Sequence, residues 1–298
     1  MLFRSFFNPV VQMKISVAAH LCASAAGFHL LVRRARWPVY FAMVAFVIWT
    51  GNGFVAFRLL HGQETFYPLL YLPLMLALLW PYLCGDREHG EIRRDVLMGT
   101  ALVSLMVLED GFQVLIYAGI FFGSAGLMAG ILRRDFRALG VLAAWMGWAM
   151  LLCAVRLLPM VELLHEHPRL TTEQDFLTAA MLIDAFFNPR QLALYSGFQL
   201  AAPHNVWAAY GAYTGWAPFV LFAYGAVLAG VRRQPVFLPL LVAVLASFLL
   251  MLGHFAEWSP WTLLHNLPLM DMVRAPHRFA SMVIFRSEER RVGKECRL

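Results

Sequence analysis

Two arginines four residues apart, Arg274 and Arg278, are the side chains with the most direct chemical use in this 298-residue sequence. They lie in the run Arg274-Ala275-Pro276-His277-Arg278-Phe279, just before an apolar stretch. On a helix, positions i and i+4 share a face, and guanidinium forks match phosphate oxygens. The pair could therefore hold a lipid phosphate or pyrophosphate. Pro276 confines it to a turn entering a first helical turn. The competing reading is that both arginines anchor a membrane span at the headgroups. A second polar group is Glu109-Asp110 with Gln113 nearby, at a turn between two apolar runs. Acidic side chains beside an apolar zone are costly, which suggests a base, a metal ligand or an arginine partner; the plainer reading is a solvated turn. Arg58, His61 and Glu64 mark another turn, and snorkelling accounts for Arg58 and for Arg156 further along. His61, Glu109, Asp110 and Gln113 together make a candidate polar site. His165 and His167 read as loop residues, and no P-loop, GxGxxG, HExxH, GxSxG or CxxC pattern is present. The residues identify neither a metal site nor a cofactor.

The elements that must position these groups are helices in lipid. Apolar residues make up 60% of the chain, charged residues only 14%, and mean hydropathy is +0.64. Ordinary soluble domains are roughly half apolar and a quarter charged. The formal charge of +6 comes from arginines clustered between apolar runs, not spread along one polar face, so the implied partners are membrane lipids and not nucleic acid. Apolar runs cover residues 13–32, 38–57, 66–83, 96–108, 112–132, 138–158, 213–231 and 236–252, with a truncated start at 279. The expected fold is an all-α polytopic transmembrane helix bundle of about nine spans, the last one truncated. Alternate loops carry Arg33, Arg34 and Arg36; Arg87, Arg93 and Arg94; Arg133, Arg134 and Arg137; and Arg232 and Arg233. The positive-inside rule places these loops in the cytoplasm. The run 96–108 is short, rising only about 20 Å, and reads as one arm of a tight hairpin turning at Glu109-Asp110-Gly111. Two longer segments, 165–212 and 253–277, lie on the other side. In the first, Thr171, Thr172, Gln174 and Asp175 start an amphipathic helix carrying Phe176, Ala180, Ile183 and Phe187, which Asn188-Pro189 ends. That extracytoplasmic helix either lies at the membrane interface or packs on the bundle. The four cysteines show no disulfide framework, and no removable signal peptide opens the chain.

From Arg286 the string RSEERRVGKEC cuts off an apolar run and resembles the translated read-through of a sequencing adapter. Residues 286–298 are thus expected to be a non-native tail, the alternative being a basic cytoplasmic tail. Residues 1–285 then form one transmembrane helical domain, expected to be incomplete at both ends.

Several short stretches recur in a known order: Ala26-Gly27 before an Arg-rich loop, His61-Gly62 followed by Leu72-Pro73-Leu74, and Gly111-Phe112-Gln113 to Tyr117. Leu158-Pro159 through Glu162, Asn188-Pro189, Tyr210-Gly211-Ala212-Tyr213, and Leu267-Pro268 with Arg274 to Phe279 complete the series. In this order the chain resembles the large bacterial membrane proteins of the YfhO type, related to the GT-C superfamily of polyprenyl-phosphate-sugar glycosyltransferases. The resemblance implies a multi-pass protein of the bacterial cytoplasmic membrane that uses a polyprenyl-phosphate-linked sugar donor for cell-envelope glycan modification. It further implies that Arg274 and Arg278 bind the donor phosphate. In GT-C enzymes an acidic residue in the first outer loop is the usual catalytic base or metal contact, which admits a divalent metal. The chain is expected to begin at a later span, leaving that base upstream and the fragment alone without transfer activity. A transporter or flippase of lipid-linked sugars, and a non-catalytic envelope assembly protein, are the alternatives.

Overall fold

A backbone in lipid must satisfy its polar groups internally, and a helix does so within one segment. The computed structural model describes residues 8–86, 91–167, 176–191, 211–231, 234–267, 270 and 276–287. Among the described residues the regular elements are all helical, with one isolated bridge between Phe176 and Gly253. In order they are α1 (Pro9–Arg34), α2 (Tyr40–Gly51), α3 (Gly53–Leu60), a 3-10 helix (Glu64–Tyr71) running into α4 (Leu72–Cys84), α5 (Ile92–Leu108) and α6 (Phe112–Arg133). There follow α7 (Arg137–Leu152), α8 (Ala154–Glu166), α9 (Ala179–Phe187), α10 (Trp216–Val231), α11 (Phe237–Met251), α12 (Pro260–His265), a 3-10 turn (Pro276–Phe279) and α13 (Ala280–Ser287).

Among the described residues, three helices are long and apolar enough to cross a membrane: α1, the continuous Glu64–Cys84 unit and α6. The pairs α2 with α3 and α7 with α8 are bent by 54° and 81°, and counting each pair as one span raises the number to five. The described residues thus hold three to five candidate crossing helices where the sequence suggests about nine. The difference lies partly in α10 and α11, which are apolar but 16 and 15 residues long. It lies also in α5, whose 17 residues rise about 25 Å. The α2–α3 bend is a capping event inside an apolar run. Asn52 is extended, and its side-chain oxygen accepts from Val55 N–H at 3.0 Å, so a new helix starts there.

The central element is the Glu64–Cys84 unit, whose side chains are almost all buried. α1 lies against it through a face of His20, Ser24, Gly27 and Leu31. At Gly27 a Cβ would overlap the Leu74 backbone, and this bare position lets the two helices close up as small residues do in membrane bundles. Several polar side chains gather at one end. Arg34 donates to Asp95 at 2.7 Å and to the Ala77 carbonyl at 3.0 Å. Pro81 has no N–H to offer Ala77, so Arg34 fills the place of a missing helical bond. Tyr82 donates to Asp95 at 3.0 Å, and Arg133 bonds the Leu83 and Pro235 carbonyls. These contacts bring the loops carrying Arg34, Arg93 and Arg133 to a common end, while Arg87, Arg232 and Arg233 lie outside the described residues.

α9 starts later than the threonine pair suggests: Thr178 caps it, accepting from Met181 N–H at 3.2 Å, and Asn188 ends it. Thr171, Thr172, Gln174 and Asp175 fall outside the described residues. Leu182 and Phe186 pack on the core, so α9 docks on the bundle while Ile183 stays exposed.

Candidate functional site at the turn between the fifth and sixth helices

The three residues from Glu109 to Gly111 join α5 to α6, and Gln113 lies in the first turn of α6. Asp110 takes a left-handed backbone (φ 61°), which aspartate tolerates better than bulkier residues. Gly111 follows because a Cβ there would sit 2.8 Å from Pro68 and 2.9 Å from the Met106 carbonyl. The turn is therefore wedged against the Glu64–Cys84 unit, and the polar side chains of Glu109, Asp110 and Gln113 reach three different partners.

Glu109, one-third exposed, reaches α1. Its carboxylate lies 2.9 Å from His20 Nε2 and accepts from the Tyr71 hydroxyl at 3.2 Å. His20 is buried, its other nitrogen is 2.7 Å from the Ser16 carbonyl, and its ring packs on Tyr71 and Tyr67 at 4.8 and 5.6 Å. Asp110 pairs with Arg156, which also donates to the Leu108 carbonyl. Arg156 is thus tied into the turn by an ion pair, which the snorkelling reading did not foresee.

Gln113 accepts from Arg278 Nη1 at 2.5 Å across 165 residues. Among the described residues Arg278 meets no carboxylate. Its Nε makes no hydrogen bond, and its guanidinium lies 5.2 Å from the Phe66 ring centre. Arg58 lies 4.6 Å from the Phe66 and Phe54 rings and donates to Gln63 at 2.6 Å. Phe66 thus has two guanidiniums against it, a cation–π arrangement worth about 2 kcal/mol or more per pair when desolvated. Fully buried Tyr117 lies within reach of Arg278 without completing a hydrogen bond. Next to Arg278, burial and then the charges of Arg278 and Arg58 hold His277 well below the usual imidazole range, so it stays neutral. Two guanidiniums against one aromatic ring, beside a neutral imidazole, make a cluster whose chemistry favours an anion.

Of the residues singled out by sequence, the structure therefore unites Arg278 with Gln113 and places Glu109 and Asp110 on the same turn. His61 stands apart, exposed, with Nδ1 at 2.9 Å from the Phe57 carbonyl. Arg274 lies outside the described residues. The sequence reading missed His20, Tyr71 and Phe66; the available signal was a histidine on the small-residue face His20, Ser24, Gly27 of an otherwise apolar span. Among the described residues no group of three His, Cys, Asp or Glu side chains is arranged to hold a metal ion. An apolar groove of about 400 Å³ opens between α9, α10, α11 and α13, walled by Phe186, Phe187, Phe219, Phe248, Val283 and Ile284 among others. Compared with protein-family models, curated proteins and solved structures, the chain matches none.

Proposed function

We propose that this chain belongs to a multi-pass, glycosyltransferase-like protein of the bacterial cytoplasmic membrane that takes a polyprenyl-phosphate-linked sugar as donor. In this reading about nine segments span or partly span the bilayer, with the Arg-rich loops inside. Arg278 holds the donor phosphate, and Arg274 assists from the same motif. The observation that carries the reading is the state of Arg278: a guanidinium held by a neutral amide and an aromatic face, with a free Nε–H. Val283 and Ile284, which wall the apolar groove, follow Arg278 by one to two helical turns, about 8 Å of rise. A long isoprenoid tail suits such a wall. Transfer breaks the bond from sugar carbon to phosphate oxygen and forms one to an acceptor oxygen, the acceptor hydroxyl giving its proton to a carboxylate base; the phosphate left behind is more negative, and a fixed cation stabilises that charge most as it develops.

The second reading, a transporter or flippase of lipid-linked sugars, draws on a different observation. His20 sits within a candidate span and pairs with Glu109, and ionisable pairs at such depth accompany ion-coupled movement.

Both readings need the phosphate site, and one experiment tests it. The full chain in phosphatidylcholine nanodiscs is titrated with a short-chain phosphodiester lipid. One charge-assisted contact is worth about 1.5–3 kcal/mol, so Arg278→Ala weakens binding roughly tenfold or more. Arg278→Lys restores only part, because lysine keeps the charge and loses the fork. Equal binding by parent and both variants makes these arginines headgroup anchors. Sugar release versus sugar translocation in proteoliposomes then separates the two readings.

A further inference from the structure

His20 has an acceptor on each side. The Ser16 carbonyl can only accept, so Nδ1 carries a hydrogen; Nε2 faces a carboxylate oxygen, so one proton must lie between it and Glu109. Imidazolium with carboxylate, or imidazole with carboxylic acid, are the same neutral pair with the same proton count. A second proton changes this. It leaves an imidazolium without its counter-charge at a buried site and puts a carboxylic acid where Tyr71 donates. Glu109, one-third exposed, provides the way in from water.

Among the described residues, few other charged groups lie on the elements around the pair. Tyr67 and Tyr71 flank the imidazole, and Glu64 begins the same 3-10 helix. Asp110 on the turn is paired with Arg156. α2 and α4 contribute no Asp, Glu, Lys or Arg. Arg93, Arg94 and Asp95 on α5 lie at its far end, about 21 Å along the axis from Glu109 in the case of Asp95. Lys14 on α1 is exposed and six residues from His20, off the buried face.

Four residues beyond Glu109, Gln113 occupies an Arg278 donor. Only the short turn wedged against Pro68 lies between them, which gives a change at Glu109 a direct route to Gln113. We propose that His20 and Glu109 form a proton-binding site coupled to anion binding at Arg278. Uptake of a second proton opens the pair, slackens the turn and withdraws Gln113 from the guanidinium fork. It also adds one positive charge nearby. Both effects tighten anion binding, and by linkage a bound anion raises the proton affinity of the pair by the same factor. The proposal rests on the reading that Arg278 holds a phosphate.

The test uses the full chain in phosphatidylcholine nanodiscs and dihexanoyl phosphatidylglycerol, a phosphodiester whose charge is constant from pH 8 to pH 5. The parent is expected to bind about tenfold more tightly at pH 5, within the usual span of allosteric coupling. Glu109→Gln binds with a flat pH profile, and Arg278→Ala binds roughly tenfold or more weakly throughout. A flat parent profile, or a Glu109→Gln profile as steep as the parent's, overturns the proposal. A second measurement needs no ligand: the spin-label distance between Ala18→Cys on α1 and Leu108→Cys on α5, with the native cysteines replaced. It is expected to lengthen or broaden at pH 5 in the parent background and to stay constant with Glu109→Gln. An unchanged distance refutes the proton site. A changed distance without any phosphodiester binding leaves the proton site standing and removes the phosphate reading instead.

Discussion

Asp95 offers the sharpest test of how the bundle is held. Its side chain is fully buried and serves Arg34 at 2.7 Å and Tyr82 at 3.0 Å. Asp95→Ala strands a guanidinium that is only 15% exposed and a phenol beside it. Breaking a buried pair from one side costs about 3–5 kcal/mol. Arg34→Met strands the carboxylate and also deprives the Ala77 carbonyl of the donor that stands in for the one Pro81 lacks, so it should cost at least as much. The double variant removes both charges. What remains is the Ala77 carbonyl and the Tyr82 hydroxyl, about 1–3 kcal/mol for unsatisfied groups that water or rearrangement partly relieves. The coupling energy is then negative, with a magnitude of about 3–9 kcal/mol. Reversible unfolding in mixed micelles, followed by tryptophan fluorescence, yields all four corners of the cycle. If Asp95→Ala costs under about 1 kcal/mol, or the two single costs simply add, the pair does not bind α1 to α5 and the physical account is wrong.

Two further outcomes follow from packing and burial. Gly27→Val should separate α1 from α4, because its Cβ would overlap the Leu74 backbone; a loss of about 2–3 kcal/mol or failure to fold is expected, against under 1 kcal/mol for the same change at Gly51, which has open space. For His277, held neutral by burial and neighbouring arginines, the folded chain resists a proton that the unfolded chain accepts near the usual imidazole value of about 6.5. Its contribution is therefore complete above that pH and is lost as pH falls below it, at up to about 1.4 kcal/mol per pH unit. Unfolding midpoints at pH 7.5 and 5.5 should differ more in the parent than in His277→Leu, and equal slopes would contradict the burial argument.

Much of the helical layout is written locally. The run 112–132 became α6 (Phe112–Arg133), the run 13–32 became the middle of α1, and the turn at Glu109-Asp110-Gly111 and the stop at Asn188 stand where charge, glycine and proline interrupt apolar sequence. Hydropathy sums neighbours, and helix formation in lipid depends on neighbours. The same sum fails where a side chain is satisfied from afar. Residues 92–95 read as loop because Arg93, Arg94 and Asp95 are charged, yet α5 begins at Ile92 because Arg34 and Tyr82 neutralise Asp95. Asn52 broke an apolar run that hydropathy treats as one span, by supplying its own cap.

The site divides in the same way. Residue type and spacing single out Arg278, Gln113, Glu109 and Asp110, because charge in apolar surroundings is legible from neighbours. Their pairings are not, since Gln113 meets Arg278 across 165 residues and His20 meets Glu109 across 89. One regularity would have been visible only in hindsight. His20 and Arg34 are fourteen residues apart, as are Asp95 and Glu109, so α1 and α5 can be joined at both ends when they run in opposite directions about 21 Å at a time. The sequence alone determined where most of the helices lie and which residues are too polar to be there without a reason. Tertiary structure decided what each of those residues answers to, because a partner is chosen by the direction of side chains on packed helices, and that direction is set only once Gly27, Gly111 and the buried face of α1 have brought the helices together.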